Sequence, residues 1–229
     1  MSETTAQPVT IDVDASQHVS GAWLVPNNAN ACYVFAHGAG AGMHHASMVT
    51  MADELALAGI ATLRYHFPYI ERGSKRTDPP ALCHATVRAA VTKARELAPT
   101  LPLFAGGRSF GGRMTSQAQA LSALPAVRGL AFFGFPLHPA KRPSIERAQH
   151  LSNVHVPMLF VQGTRDELAE LPLLQPLVER LSAQASLYLV ADADHSFHVP
   201  ARSGRKDADV RREAVAAMAT WIERVVRSP

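Results

Sequence analysis

Eight short apolar runs, spaced along the whole chain and separated by stretches of helical period, constrain this sequence most. The runs are VTIDV (9–13), VSGAWLV (19–25), ACYVFAH (31–37), ATLRYHF (61–67), LPLFAG (101–106), GLAFFG (129–134), VPMLFVQG (156–163) and ASLYLV (185–190). Several are continuously apolar instead of alternating, the mark of strands covered on both faces by crossover helices. Between them, Met48, Met51, Ala52, Leu55 and Ala56 share one side of a helix over 45–58 that Gly59 ends. Val87, Ala90, Val91, Ala94 and Leu97 do the same for 82–98, which Pro99 ends. A terminal helix over 207–227 puts Val210, Ala214, Met218, Trp221 and Val225 on one stripe. This alternation predicts a doubly wound, mostly parallel α/β sheet with helices on both faces, the earliest runs supplying an antiparallel edge. In such sheets ligands bind beyond the carboxyl ends of the strands, so the residues after each run are the ones that bear on function.

At 229 residues the chain suits one core, and a single domain over 1–229 is expected. With 47% apolar and 18% charged residues, disorder is excluded as the main state. The net charge of +3 comes from scattered basic residues and gives no footprint for nucleic acid. Cys32 and Cys83 sit in or beside apolar stretches without metal-ligand spacing, as buried thiols of a reducing compartment do. The opening MSETTAQPVTIDVDAS has no leader pattern and no apolar run reaches the roughly 18 residues of a membrane span. The expectation is a cytoplasmic protein without a membrane partner, monomeric or homodimeric.

The run at 101–106 is followed by GGRSFGG (106–112), four glycines in seven positions. Gly107-Arg108-Ser109-Phe110-Gly111 fits G-x-S-x-G, in which a serine is projected from a sharp strand-to-helix turn. Residues two before and two after such a serine approach neighbouring backbone so closely that a Cβ would clash. The first amides of the following helix then face the space above the serine, and Phe110 N–H becomes a donor for a developing oxyanion. The bland alternatives are a tight turn, a helix N-cap at Ser109 and a solvated or surface-paired Arg108.

A serine nucleophile needs an imidazole to take its proton and a carboxylate to orient the imidazole. After VPMLFVQG comes Thr164-Arg165-Asp166-Glu167; after ASLYLV comes Ala191-Asp192-Ala193-Asp194-His195-Ser196-Phe197. Ser109, Asp166 and His195 therefore stand in nucleophile, acid, histidine order at strand ends. Glu167 and His198 are the competing acid and base, while Asp192 and Asp194 suit turn capping. His37-Gly38-Ala39-Gly40-Ala41-Gly42 ends another run, and its small residues allow a second oxyanion amide from Ala39 or, alternatively, Gly40. His37 precedes the serine and fits a role ordering this loop. No G-K-[ST] and no dinucleotide fingerprint is present, so no cofactor is expected. His44 and His45 are adjacent, no H-E-x-x-H or Cys/His set occurs, and no metal is expected.

The connection from Phe135 to Pro157 has room for one short helix (144–151) and for no large cap, which predicts an open, shallow site. His37, His66, Phe67, Tyr69, Arg108, Phe135, Leu137, His138 and Phe197 are the expected pocket-lining residues. Arg72, Lys75 and Arg76 lie in the most loop-like segment, 69–80, and would favour an anionic acyl group if they faced the site; a solvated loop is the simpler reading.

FAHGAGAGMHH, RYHFPYIERGSKRTDPP, AGGRSFGGRM, VQGTRDEL and DADHSF together resemble the α/β-hydrolase superfamily, specifically its small group near dienelactone hydrolases. They are similar to a bacterial family related to the hydrolase-like domain of a human testis-expressed protein and of a chromatin acetyltransferase-complex subunit. The resemblance runs from about residue 18 to 226. It implies a triad of Ser109, Asp166 and His195, oxyanion amides from Phe110 and the loop after Gly38, and hydrolysis of small esters or thioesters through an acyl enzyme. Dienelactone hydrolases proper carry cysteine where this chain has Ser109, which sets this chain apart from that lactone substrate. Some relatives look like interaction proteins, so a non-catalytic binding module on the same scaffold is the alternative; acyl transfer and cofactor-free peroxidation are other chemistries one triad can serve.

Overall fold

The computed structural model describes residues 5–227. Eight strands form one sheet: β1 (Gln7–Asp12), β2 (His18–Leu24), β3 (Ala31–Ala36), β4 (Ile60–Tyr65), β5 (Leu103–Arg108), β6 (Val127–Phe133), β7 (Met158–Gly163) and β8 (Ala185–Val190). Their order is β1-β2-β4-β3-β5-β6-β7-β8. β2 runs antiparallel to β1 and β4, and every other neighbouring pair is parallel. Each expected run is a strand. β5 extends through both glycines to Arg108, so its carboxyl end abuts Ser109.

Helices α1 (Ala46–Leu57), α3 (Pro80–Leu97), α4 (Phe110–Leu121) and α6 (Asp207–Arg227) fill the expected crossovers. The short α2 (Pro68–Glu71) begins the segment expected to be loop, and α5 (Leu171–Arg180) was not anticipated. Residues 144–151 were expected to be helical; the element is a 3-10 helix over Glu146–Asn153. β-period alternation sorts neighbouring side chains to opposite layers. Phe132 joins Phe135 and Phe160 under α3, α4 and α5, whereas Phe133 joins Phe35, Met51 and Trp221 under α1 and α6. Each fully buried phenylalanine contributes about 1.5–3 kcal/mol relative to exposure, so consecutive aromatics serve two cores at once. Cys32 and Cys83 are free and buried. Among the described residues no helix is long and apolar enough to cross a membrane.

Candidate active site

Ser109 stands between β5 and α4 with φ 50° and ψ −117°, outside the regions that L-residues favour. Such a conformation costs about 1–3 kcal/mol and persists only where its surroundings hold it. Here they do. A Cβ on Gly106 would lie 1.8 Å from Ala131 O, one on Gly107 2.4 Å from Ala36 O, and one on Gly111 2.5 Å from His37 O. Glycine at these positions lets β5 and α4 press against the backbones of β3 and β6. Ser109 N–H donates to Phe133 O at 3.1 Å, and its carbonyl accepts Arg113 N–H at 3.1 Å. Its side chain makes no cap hydrogen bond to α4, so the N-cap alternative does not describe it.

The Ser109 hydroxyl instead faces His195. Ser109 Oγ lies 2.8 Å from His195 Nε2, and His195 Nδ1 lies 2.7 Å from Asp166 Oδ2. Asp166 is buried, while Ser109 and His195 are partly exposed. Asp166 Oδ1 accepts Leu168 N–H at 2.8 Å, and Oδ2 also accepts an N–H of Gln162. Gln162 Oε1 in turn accepts Phe135 N–H at 2.9 Å. Gln162 was not foreseen, although a polar residue within the otherwise apolar MLFVQG was the available signal. The His195 loop is seated by Asp194, whose Oδ1 accepts Ser196 N–H at 2.7 Å and His198 N–H at 3.0 Å. Gly163 is bare because a Cβ there would meet Ala193 O at 2.3 Å. The competing residues lie elsewhere: Glu167 is exposed, and His198 pairs with Asp207 at 2.8 Å on the surface.

The HGAGAG loop arrives beside the serine from β3. A Cβ on Gly38 would be 3.7 Å from both Ser109 Cβ and Arg108 O. His37 is buried; its Nδ1–H donates to Gly38 O at 2.8 Å and its Nε2 accepts Phe67 N–H at 3.1 Å, so both ring nitrogens are committed to backbone. Burial pushes its pKa down to about 4, keeping it neutral. Half-buried His66, its pKa lowered by burial, accepts Met43 N–H at 3.2 Å, and Arg64 Nη1 donates to Met43 O at 3.0 Å. The Gly40 amide lies toward the buried Tyr69 hydroxyl without closing a hydrogen bond to it.

The expected pocket lining needs correction. His37, Phe67, Tyr69, Phe135, Leu137 and His138 are fully buried, and Phe197 nearly so. They form the floor that supports the site, because large side chains just past the strand ends are drawn into the helix-sheet layers. Phe67, Tyr69 and Phe110 pack against one another, Phe67 lying edge-on to Phe110 at 5.4 Å between centroids. His138 faces Glu170 at 2.5 Å under the loop that carries Asp166. Only His66 and Arg108 of the nine are partly exposed. Arg108 is partly exposed and makes no ion pair among the described residues; its Nη1 donates to Ser47 Oγ at 2.6 Å at the start of α1. A recess of about 860 Å³ beside β1, β2 and α1 is lined by Val9, Ala22, Val49 and Arg64 and includes none of Ser109, Asp166 or His195.

The alpha/beta hydrolase domain model matches residues 29–223. The chain belongs to that family. Solved structures share its fold at low identity. A Xanthomonas campestris protein, described as an a/b serine hydrolase without lid, is 23% identical over 95% of each chain with a TM-score of 0.72. A dienelactone hydrolase from Anabaena variabilis is 21% identical, covering 96% of this chain and 95% of that one, also at 0.72. An alpha-beta serine hydrolase homologue from Coxiella burnetii is 19% identical over 95% and 99%, at 0.75.

Proposed function

We propose that this α/β hydrolase is a single-domain serine hydrolase of small carboxylic esters or thioesters. The observation that carries the reading is the continuous hydrogen-bonded chain from Ser109 through His195 to Asp166, presented on a strained turn at the carboxyl edge of the sheet. Ser109 Oγ attacks the acyl carbonyl carbon while His195 Nε2 takes the hydroxyl proton. Asp166, held by Gln162 and Leu168 N–H, accepts from Nδ1–H and stabilises the imidazolium. The oxyanion is received by the amides of Phe110 and Ala39, one from the first turn of α4 and one from the loop after β3. Collapse of the tetrahedral species expels the alcohol or thiol, which takes the proton from Nε2. Water then repeats the sequence on the acyl enzyme, returning the acid and the free serine.

The 3-10 segment at Glu146–Asn153 is the helical element between β6 and β7, so no long insertion covers the site and short or exposed esters fit it best. The test is reaction with a fluorophosphonate serine probe, read by intact mass, beside hydrolysis of short-chain aryl esters. Wild-type protein is expected to gain one adduct at Ser109. Ser109→Ala should gain none and lose turnover by about 10⁶-fold, and His195→Ala should be comparably impaired. Folded wild-type protein that neither labels nor cleaves any ester would defeat the proposal in favour of a binding module.

A further inference from the structure

Arg64 is the one arginine that the fold buries almost completely among the described residues, at 3% exposed. β4 carries it between β2 and β3, and it lines the recess of about 860 Å³ beside β1, β2 and α1. Its donors are unevenly used. Nη1 donates to Met43 O at 3.0 Å, whereas Nε is sealed from water without a partner. Nη2 is neither hydrogen-bonded nor sealed, so it is the donor left to the recess. Burial pushes the guanidinium's pKa down, and the charge of Asp53 acts the other way. Asp53 is an exposed residue of the same recess and makes no ion pair with Arg64.

A buried guanidinium without an ion-pair partner is costly, and an anion bonded to it offsets that cost where a neutral occupant does not. The volume falls within the range of small-ligand sites, and Val9, Ala22, Met43 and Val49 supply apolar wall. None of Ser109, Asp166 and His195 lines it. We infer that the recess is a second ligand site, separate from the catalytic serine, for a small carboxylate with an apolar body. The carboxylate accepts from Arg64 Nη2 while the body lies against Val9, Ala22 and Val49. A single negative charge suits the site better than the double charge of a phosphate monoester, because Asp53 repels each added charge. An amine would be held only by Asp53, where water screens the attraction. Since Nη1 also holds Met43 O below the loop after β3, replacing Arg64 would disturb fold and ligand together, and the test leaves it in place.

Binding is measured by titration calorimetry with 4-phenylbutyrate, 4-phenylbutyramide and 4-phenylbutylamine, which share a body and differ in charge. The protein is Ser109→Ala, so turnover does not enter and the result stands apart from the hydrolase reading. The carboxylate should bind about tenfold or more tighter than the amide, as a charge-assisted hydrogen bond predicts. Asp53→Asn in that background removes the repelling neighbour and should tighten the carboxylate about two- to fivefold, leaving the amide unchanged. Val49→Trp fills the recess and should abolish carboxylate binding, with a melting curve to confirm folding; if that variant does not fold, the Asp53→Asn result decides. Equal affinity for carboxylate and amide, tightest binding of the amine, or no heat from any of the three at millimolar concentration would overturn the inference. So would carboxylate binding that survives in folded Val49→Trp or is unmoved by Asp53→Asn, since either places the ligand elsewhere.

Discussion

β3 and β5 are hydrogen-bonded neighbours, and both end in glycine-rich turns at the same edge of the sheet. Their glycines do opposite work. At the end of β5 a Cβ on Gly106, Gly107 or Gly111 would strike backbone oxygens of β6 and β3 at 1.8–2.5 Å, atoms that move only if the sheet moves. After β3, Gly40 has nothing within 4 Å and Gly38 only ordinary contacts at 3.7 Å, whereas Gly42 meets the movable ring of His66 at 2.5 Å. One turn is wedged by the fold and stores strain at the nucleophile. On the proposed reading the other is kept small so that an amide can stay near a reacting carbonyl, and it is held from below by His37, His66 and Arg64. In the proposed mechanism, rigidity is thus concentrated where the attacking atom is aimed, and adjustability where the charge would develop.

The sharpest way to break this contrast is Gly106→Ala. The added methyl overlaps Ala131 O, and relief requires separating β5 from β6. A loss of more than about 4 kcal/mol is expected, seen as failure to recover soluble protein or as a collapsed unfolding midpoint. Normal stability in Gly106→Ala would show that the β5 end is not wedged.

Acid should act on the other turn. His37 is neutral when folded, with its pKa lowered from 6.5 to about 4 by burial. Between those values the unfolded chain binds a proton that the folded chain refuses, so this contribution is complete above pH 6.5 and is lost as pH falls toward 4. About 2.5 kcal/mol should disappear by pH 4.5. His150, also pushed to about 4 by burial, adds a similar acid loss, so the comparison must be made within one background. Denaturant unfolding of wild type and His37→Asn at pH 7.5 and 4.5 isolates the His37 share: the variant should lose less stability on acidification. Equal losses in the two proteins would remove His37 as the titrating support.

Strain at the nucleophile gives a smaller effect of opposite sign. Glycine tolerates φ 50° and ψ −117° far better than serine, so Ser109→Gly should be inactive yet more stable by about 1 kcal/mol, after the larger entropy of an unfolded glycine is deducted. That corresponds to roughly 2–4 °C in the unfolding midpoint for a chain of this size. Ser109→Ala keeps the strained backbone and should show no such gain. If the two variants melt together, the turn holds no strain.

Much of this contrast was legible in the sequence, for reasons that also show where legibility ends. Continuous apolar runs mark doubly covered strands, and GGRSFGG, Asp166 and His195 stand at strand ends, so local pattern and chain order located the parts that the sheet later brings together. α5 escaped notice because LPLLQPLVER carries Pro172 and Pro176, a breaker pattern that its burial of Leu174, Leu177 and Val178 overrides. Gln162 and the buried floor of Phe67, Tyr69, Phe135 and Leu137 depend on which way a side chain turns after a strand ends. That direction is set by tertiary packing, and no periodicity records it. Arg108 shows the same limit, since its hydrogen bond to Ser47 at the start of α1 leaves no local trace in the sequence.

Gly40→Ala completes the comparison at its weakest point. The added methyl meets no atom within 4 Å, so nothing resembling the Gly106 clash arises, but φ is +79° and an L-residue pays about 1–2 kcal/mol to remain there. A rigid loop would absorb that cost as lost stability and leave turnover unchanged. A loop held only from below can relax instead, turning the peptide plane and shifting the neighbouring Ala39 amide away from the oxyanion. The expected result is therefore a midpoint within a few degrees of wild type, kcat on a short aryl ester lowered several-fold to tenfold, and KM little changed, because the displaced hydrogen bond matters most when charge has developed on the carbonyl oxygen. Steady-state kinetics beside a melting curve distinguishes the two cases, and a full stability loss with unaltered kcat would show that the β3 turn is as firmly held as its neighbour.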